Sequence, residues 1–384
     1  MKNIYGIAIT IVCLCIGVNF AHADNVASTK DDEFRALLSE AAQSDDIVGL
    51  AVAVVRNGEV TFSETYGYRE LAGDDPVDRS TVFRIASLSK GFAASAAGRL
   101  IADGKLSLSE GVSDYVPELR LKNGNQLKAL TLENVLSHRT SLPPYAYDNL
   151  LEAGVAPAEI LGEFRKVDPI CPVGQCYSYQ NVAFDTISRV IEQTDGRAYS
   201  DVVEEEFFNK LDMGRASFGL ENLKQDDNWA RPHRRRRGQA WRVGDVKEAY
   251  YRVPAAGGVN ASIVDMAEWL KAQMGYAPDV ISSEILEMTH TERVPTPAEI
   301  RRLSSVMKLD AAHYGLGWRI YDYAGMRVVK HSGSVDGGYG AQIAFLPDRG
   351  VGIVLLTNSR SRQFWEILPA FLDTELNDRT NLAD

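Results

Sequence analysis

The chain has 384 residues, of which 45% are hydrophobic and 24% are charged, and this globular composition allows roughly one to three domains. With 41 basic and 52 acidic residues the formal net charge is −11, which excludes a general nucleic-acid binder.

The first 23 residues have the pattern of a secretory signal peptide. Lys2 gives a positive start, Ile7 to Val18 is apolar, and Ala21-His22-Ala23 is a small-x-small cleavage site. The apolar run is shorter than the roughly 20 residues that a membrane span needs. Cys13 and Cys15 lack the small residue expected before a lipid-modified cysteine. We predict a secreted or periplasmic protein cleaved after residue 23, with a retained anchor as the alternative.

Strands are predicted near both ends of the chain. Val48 to Leu71 reads as two strands joined by an Asn57-Gly58 turn. Tyr314 to Ser359 reads as four more strands, with turns near Ala324-Gly325 and at Asp348-Arg349-Gly350. Helical patterns dominate between these ends, and Ser262 to Met274 is one predicted helix.

This arrangement predicts an α/β (α+β) fold with one sheet built from both chain ends, flanked by helices and interrupted by a helical domain. We expect the sheet domain at residues 24–105 and 255–384 and the helical domain at residues 106–254. The cleft between them is the natural ligand site.

Two local features leave alternatives open. Cys171 and Cys176 are close in sequence, and an oxidising compartment favours a disulfide over two free thiols. They make only half a zinc site, with no histidine nearby. The basic stretch Arg231 to Gly238 is either a solvated loop or a cationic lip beside a site for anionic substrates.

The stretch Val82 to Leu100 carries the first chemical signal. On a helix, Ser87 and Lys90 share a face, whereas Ser89 points elsewhere. Small residues after Lys90 predict tight packing, and burial would neutralise the amine so that it can take the Ser87 proton. A second S-x-x-K, Ser305 to Lys308, lies in a charged segment without such a helix.

Two further motifs follow along the chain. Tyr179-Gln180-Asn181 combines a phenol that can relay a proton with an amide that can hold a carbonyl, and Tyr147-Asp148-Asn149 is its rival. His331-Ser332-Gly333 ends a predicted strand, and Gly333 would let a substrate lie against the strand edge. The N–H of Ser334 could form an oxyanion hole with that of Ser87.

These three motifs together resemble the serine β-lactamase and penicillin-binding superfamily, on its class C branch with D-alanyl-D-alanine carboxypeptidases, D-aminopeptidases and esterases. The resemblance covers roughly Val48 to Ser359. It implies the β-lactamase/transpeptidase-like fold, a small-molecule or peptide substrate and no cofactor or metal. A monomer is expected.

The resemblance also implies a role for each motif. Ser87 would be acylated, Lys90 would help to deprotonate it, and Tyr179 would act as general base and acid. Asn181 would bind the acyl side chain, and the third motif, with His331, Ser332 and Gly333, would bind a substrate carboxylate.

The chain departs from the family pattern at two positions. His331 stands where class C β-lactamases have lysine, which should weaken the grip on a carboxylate because histidine is mostly neutral at pH 7. Ser141 stands where the family usually has glycine. These departures leave the substrate open between a β-lactam, a D-Ala-type peptide and an ester.

Other classes fit the sequence less well. A Ser-His-Asp hydrolase of the elbow type needs a G-x-S-x-G motif and a metallopeptidase of the common type needs H-E-x-x-H, and the sequence contains neither. His138 is expected to be a hydrogen-bonded structural histidine. A non-catalytic penicillin-binding or sensor protein would have no need of Ser87, Lys90 and Tyr179 together.

Overall fold

The computed structural model describes residues 20–71, 73–236, 238–335 and 337–381. Most of the predicted signal peptide, residues 1–19, lies outside the described residues, as does Arg237 of the basic stretch. Within the described part of the chain, no helix is long and apolar enough to cross a membrane.

The helices and strands of the described chain have the following bounds. The helices are α1 Phe20–Gln43, α2 Ser89–Ala102, α3 Gly124–Lys128, α4 Leu132–Leu136, α5 Asp148–Glu152, α6 Pro157–Glu163, α7 Thr186–Asp195, α8 Tyr199–Val203, α9 Leu220–Gln225, α10 Pro254–Gly257, α11 Ile263–Gln273, α12 Ser283–His290, α13 Pro297–Leu303 and α14 Arg362–Asn381. The strands are β1 Gly49–Arg56, β2 Glu59–Gly67, β3 Phe83–Arg84, β4 Ser217–Phe218, β5 His233–Arg234, β6 Arg242–Val243, β7 Val259–Ala261, β8 Val294–Pro295, β9 Ala311–Tyr314, β10 Arg319–Tyr323, β11 Met326–Val335, β12 Tyr339–Leu346 and β13 Val351–Thr357.

One antiparallel sheet of eight strands joins the two ends of the chain, in the order β2-β1-β13-β12-β11-β10-β9-β8. Strand β1 pairs with β2 on one side and with β13 on the other, so that Leu50 lies opposite Thr357. The prediction of one sheet built from both chain ends is therefore confirmed. The domain bounds at residues 105/106 and 254/255 remain a prediction.

The sheet has a hydrophobic core on each face. Along β1, Leu50, Val52 and Val54 face a core shared with α1 and α14. Ala51 and Ala53 face the opposite core, to which α2 and α11 contribute. This alternation follows from the two-residue period of a strand, and burial on both faces explains why β1 is apolar throughout.

The predicted turns occur where the sequence placed them. Asn57 and Gly58 have positive φ angles of 50° and 84°, and Ala324 and Gly325 have angles of 51° and 71°. Two positive φ values in a two-residue hairpin match the right-handed twist of the flanking strands. The predicted helix after Ser262 begins there, because the Ser262 side chain accepts a hydrogen bond from the Asp265 N–H at 3.2 Å.

Helix α2 is enclosed because its side chains are small. A Cβ added at Gly91 would lie 2.9 Å from the Trp318 ring, so glycine is needed for that close approach. On another side, the ring of Phe92 stacks on Trp269 with centroids 3.7 Å apart. A lysine near the start of this helix is consequently cut off from water.

Cys171 and Cys176 form a disulfide in the structure, in the loop that leads to Tyr179. The loop is also held by the backbone, because the N–H of Ser178 donates to the carbonyl of His138 at 2.8 Å. The bridge closes a short ring, so we expect it to steady this loop more than the whole fold.

We predict that this disulfide is present in the purified exported protein. Trypsin should release residues 167–189 as one peptide that carries both cysteines. If the protein is alkylated before any reduction, that peptide should stay unmodified, and it should take up two alkyl groups only after reduction. Alkylation of both cysteines without reductant would contradict the prediction.

Candidate active site

Ser87 lies in a tight 3-10 turn, Ala86–Leu88, that leads into α2. Ala86 has a φ of 51°, a left-handed conformation that is unusual for a residue with a side chain. Ser87 is partly exposed and lines a pocket, whereas Ser89 is buried and donates to the Ala86 carbonyl at 2.7 Å. The structure thus separates a serine that faces the pocket from one that holds the turn.

Strand β11 lies directly against this turn at Gly333. A Cβ added at Gly333 would lie 2.2 Å from the carbonyl oxygen of Ile85 and 3.1 Å from the backbone nitrogen of Ser87. Glycine is therefore required by the backbone beneath Ser87. That a substrate lies against the strand edge at Gly333 remains a prediction.

The Lys90 side chain is fully buried next to Ser87. Its Nζ donates to the Oδ1 of Asn181 and to the carbonyl of Ala256, both at 2.9 Å, and lies 3.5 Å from the Ser87 Oγ. Burial lowers the pKa of Lys90 to about 7, although nearby buried carboxyl groups oppose the shift. A substantial share of the amine is consequently neutral at physiological pH.

The Tyr179 phenol lies within hydrogen-bonding reach of Ser87. Burial raises the pKa of Tyr179 to about 12, and a hydrogen bond with the Ser87 side chain opposes that rise. The Lys90 Nζ lies 4.8 Å from the Tyr179 ring centroid. At neutral pH this phenol keeps its proton, so it is a donor in the resting site.

Asn181 is fixed by a second buried contact. Its Nδ2 donates to the Oδ2 of Asp148 at 2.7 Å, which orients Oδ1 toward Lys90. The Tyr250 hydroxyl also approaches Asp148 Oδ2, at 3.4 Å. The sequence interpretation named Asp148 only within the rival motif and missed Tyr250, because nothing local connects either residue to Asn181.

The rival motif does not provide a tyrosine to the pocket. The Tyr147 ring stacks on Phe164 with an interplanar angle of 8°, and Asn149 is exposed. Only the middle residue of that motif, Asp148, lines the pocket. Ser305 and Lys308 of the second S-x-x-K are both exposed, after the end of α13.

His331 belongs to a directed chain of hydrogen bonds. The Gln180 N–H donates to Nδ1 of His138 at 3.2 Å, so the proton of His138 is on Nε2, which faces the Tyr314 hydroxyl at 3.2 Å. That hydroxyl donates to the Nε2 of His331 at 3.0 Å. Nδ1 of His331 donates to the Ser332 carbonyl at 3.1 Å. His138 is thus a hydrogen-bonded structural histidine, as predicted.

The expected grip of His331 on a substrate carboxylate is corrected by this geometry. The side chain is 1% exposed, and both ring nitrogens are already paired. Burial, with the positive charges of Arg319 and Lys90, holds the pKa of His331 well below its usual range. The ring is therefore neutral and occupied, and its role is to hold the strand.

Arg319 of β10 contributes a cation to the pocket wall, and the sequence interpretation missed it. Its guanidinium lies 5.6 Å from the ring centroid of Tyr179 and pairs with Glu299 at 3.2 Å. Ser332 and Ser334 also line the pocket, since alternate residues of β11 share a face. Lys330 stands over the Tyr321 ring instead, 5.5 Å from its centroid.

The pocket has a volume of about 190 Å³ and gathers most of the predicted residues. Ser87, Tyr179, Asn181, Ser332 and Ser334 line it directly. The Ser334 Oγ accepts a hydrogen bond from Arg360. The oxyanion hole formed by the N–H groups of Ser87 and Ser334 remains a prediction.

Ser141 explains the family's preference for glycine at its position. Its φ is 71°, in the left-handed region that favours glycine, and its Oγ donates to Gln126 Oε1 at 3.0 Å. This hydrogen bond partly offsets the strain of a residue with a side chain.

The arrangement can support covalent catalysis by a hydroxyl. A partly exposed serine, a buried amine that is partly neutral and a protonated phenol meet at one point. Among the residues that the structure describes, no group of three or more His, Cys, Asp or Glu side chains could hold a metal ion.

Comparisons with known proteins agree with this fold. An unguisins hydrolase of Aspergillus campestris is 26% identical over 345 residues, which cover 86% of this chain and 62% of that protein. The chain therefore spans about three fifths of the length of that relative. A protein of Pseudomonas fluorescens named beta-lactamase is 23% identical over 353 residues, covering 82% of this chain and 90% of that protein.

A solved structure shows the same architecture. The octameric penicillin-binding protein homologue from Pyrococcus abyssi matches with a TM-score of 0.80 at 23% sequence identity, over 90% of this chain and 77% of that chain. The family model described as Beta-lactamase matches residues 34–372. Because this family model and the structural match each cover most of the chain, the chain belongs to the Beta-lactamase family.

Proposed function

We propose that this protein is an exported serine hydrolase that forms an acyl-enzyme on Ser87 and acts on β-lactams or D-Ala-type peptide amide bonds. The observation that carries the proposal is the buried Lys90 amine, 3.5 Å from the Ser87 Oγ and with its pKa lowered to about 7. A base with a pKa near the working pH is suited to proton transfer. The hydrolase and beta-lactamase names of two relatives support the same reaction class.

The first step follows from the protonation states. Neutral Lys90 takes the proton of Ser87 as the Oγ attacks the substrate carbonyl, forming a C–O bond and a tetrahedral oxyanion. Tyr179, which keeps its proton because its pKa is raised to about 12, gives that proton to the leaving nitrogen as the C–N bond breaks. In the second step water attacks the ester carbonyl and gives a proton to the Tyr179 phenolate, and the Lys90 ammonium returns a proton to the Ser87 Oγ as the C–O bond of the ester breaks.

The substrate class is inferred from the polar groups around the pocket. The amide of Asn181 can hold the acyl side chain. Arg319 and the Ser332 hydroxyl offer a cation and a donor on the β11 side, where a carboxylate would be bound. β-Lactams and D-Ala-terminated peptides both carry such a carboxylate near the scissile bond.

A carboxylesterase is the second candidate. It is favoured by the neutral, fully paired His331 and by the ion pair between Arg319 and Glu299, which compensates part of the charge available to a carboxylate. Ester substrates without a carboxylate would need neither group.

Covalent labelling tests the proposal directly. Intact-protein mass spectrometry after mixing with benzylpenicillin should show one added inhibitor mass on the wild type, and the Ser87→Ala variant should show none. Ser305→Ala is the matched control and should label like the wild type, because that serine and the lysine of its motif, Lys308, are both exposed. Labelling that survives in Ser87→Ala would rule out the assignment, and time points would give the deacylation rate.

Tyr179→Phe should lower kcat/KM by about 10²–10⁴, the usual effect of losing a general acid or base. The phenyl ring keeps the contacts with His138 and Lys90, so the melting temperature should change little. Tyr147→Phe is the control and should keep nearly full activity, because that ring packs on Phe164 outside the pocket. A larger loss in Tyr147→Phe would show that the wrong tyrosine was chosen.

The pH profile should report the state of Lys90. Its neutral fraction falls roughly tenfold for each pH unit below the pKa, so kcat/KM for the neutral ester p-nitrophenyl butyrate should rise through an apparent pKa of about 7 and level off above it. A profile that stays flat between about pH 6 and about pH 8 would exclude Lys90 as the titrating base.

A further inference from the structure

The basic stretch noted in the sequence forms part of a positively charged hairpin. Between residues 231 and 247 seven residues are basic and one is acidic, in a chain whose net charge is −11. Strands β5 and β6 pair here, with Arg234 opposite Arg242. We call this segment, residues 231–247, the arginine hairpin.

The arginine hairpin is anchored to the body of the protein at one side. Arg235 forms an ion pair with Asp46 and stacks on the Trp241 ring, 4.5 Å from its centroid. Trp241 Nε1 donates to the Asp45 carbonyl at 2.6 Å. These contacts use Arg235 for anchoring and give the hairpin a defined position.

Two other arginines of the hairpin, Arg236 and Arg242, make no such anchoring contact with the described residues. Arg236 and Arg242 are exposed, and within the described part of the chain neither guanidinium has an ion-pair or hydrogen-bond partner. Both line a cavity of about 740 Å³, together with Arg234 and Gly337. The cavity therefore carries the exposed positive charges of Arg236 and Arg242, and Asp245 is the acidic residue that the described part of the chain contributes to its wall.

This cavity continues toward Ser87. Arg234 and Gly337 also line a neighbouring cavity of about 230 Å³, whose wall includes Lys247 and Tyr250. Tyr250 in turn lines the pocket that contains Ser87. The three cavities thus share wall residues, and Tyr250 stands between the candidate nucleophile and the cavity that Arg236 and Arg242 line. Glu152 is the acidic residue described in the wall of the middle cavity.

We propose that the arginine hairpin is a subsite for an acidic peptide arm of the substrate, one that carries several carboxylates and extends past Tyr250 from the bond cleaved at Ser87. This inference rests on the proposed function and adds a substrate class to it. A short acidic arm meets cavity walls in which basic side chains outnumber acidic ones. A long polyanion such as a nucleic acid would also meet the remaining surface, which is acidic overall.

Matched peptides test the subsite. Glu-Glu-Glu-Gly-D-Ala-D-Ala and Gln-Gln-Gln-Gly-D-Ala-D-Ala differ only in charge. Calorimetric titration of the Ser87→Ala variant, which cannot turn them over, should show roughly 3- to 30-fold tighter binding of the glutamate peptide, the range expected for a few exposed ion pairs. Raising the salt concentration should reduce this preference, because exposed charges are screened.

Variants then locate the preference. Adding Arg236→Ala and Arg242→Ala should bring the two dissociation constants to within about twofold of each other, and Arg236→Lys with Arg242→Lys should keep most of the difference. Lys128→Ala with Lys308→Ala removes two exposed charges elsewhere and should leave the preference intact. Using the ratio of the two peptides cancels any general effect of a variant on the fold.

Three results would overturn the inference: no binding of either peptide, equal binding of both, or a preference that survives removal of Arg236 and Arg242. A fourth is tight binding of Glu-Glu-Glu-Gly that does not slow penicillin labelling of wild-type Ser87, which would make the hairpin a docking surface for a separate acidic partner. Failure of the proposed function has a separate signature, the absence of labelling on wild-type Ser87.

Discussion

The site depends on keeping the Lys90 amine out of water. Gly91 of helix α2 lets Trp318 approach closely, and Phe92 of the same helix stacks on Trp269. The amine then has three polar neighbours, Ser87, Asn181 and the Ala256 carbonyl. Burial weakens its hold on a proton, while the two hydrogen-bond acceptors limit the cost of enclosing it. A larger side chain at Gly91 would clash with the Trp318 ring and disturb this packing.

The nucleophile is positioned by segments that are distant in sequence. The turn before α2 carries Ser87, and β11 reaches that turn only because Gly333 lacks a side chain. Asn181 comes from the chain after the disulfide loop, and Asp148 holds it from another helix. Strand β11 and the segments that carry Asn181 and Asp148 therefore meet at Ser87. Displacement of any of them would change the contacts of that serine.

The sequence predicted correctly those features that depend on residues close together in the chain. The spacing of Ser87 and Lys90 and the Asn57-Gly58 turn depend on residues that are close in the chain. The role assigned to His331 was wrong because its hydrogen-bond partners, Tyr314 and Ser332, depend on strand pairing and on the direction of each bond. Arg319 was missed for a similar reason, since its position next to Tyr179 requires packing between distant segments.

The domain bounds, the oxyanion hole and export of the protein remain predictions. The sequence favoured Tyr179 over Tyr147 but did not decide between them. In the structure Tyr179 lines the pocket that contains Ser87, and Tyr147 does not. Asp148 shows what the sequence could not predict. It belongs to the rival motif Tyr147-Asp148-Asn149, yet in the structure its carboxylate accepts a hydrogen bond from Asn181.

The hydrogen-bond chain through His138 and His331 links folding to acidity. Both imidazoles are held neutral because burial depresses their pKa values. Below about pH 6.5 these two histidines are therefore protonated in the unfolded chain but stay neutral in the folded chain. Each contributes stability that is fully present above that pH and is lost as the pH falls, by up to about 1.4 kcal/mol per pH unit. The buried Asp148 and Asp185, whose pKa values are raised, act in the opposite direction. The buried histidine whose side chain holds the Ser332 carbonyl is thus also a source of acid lability.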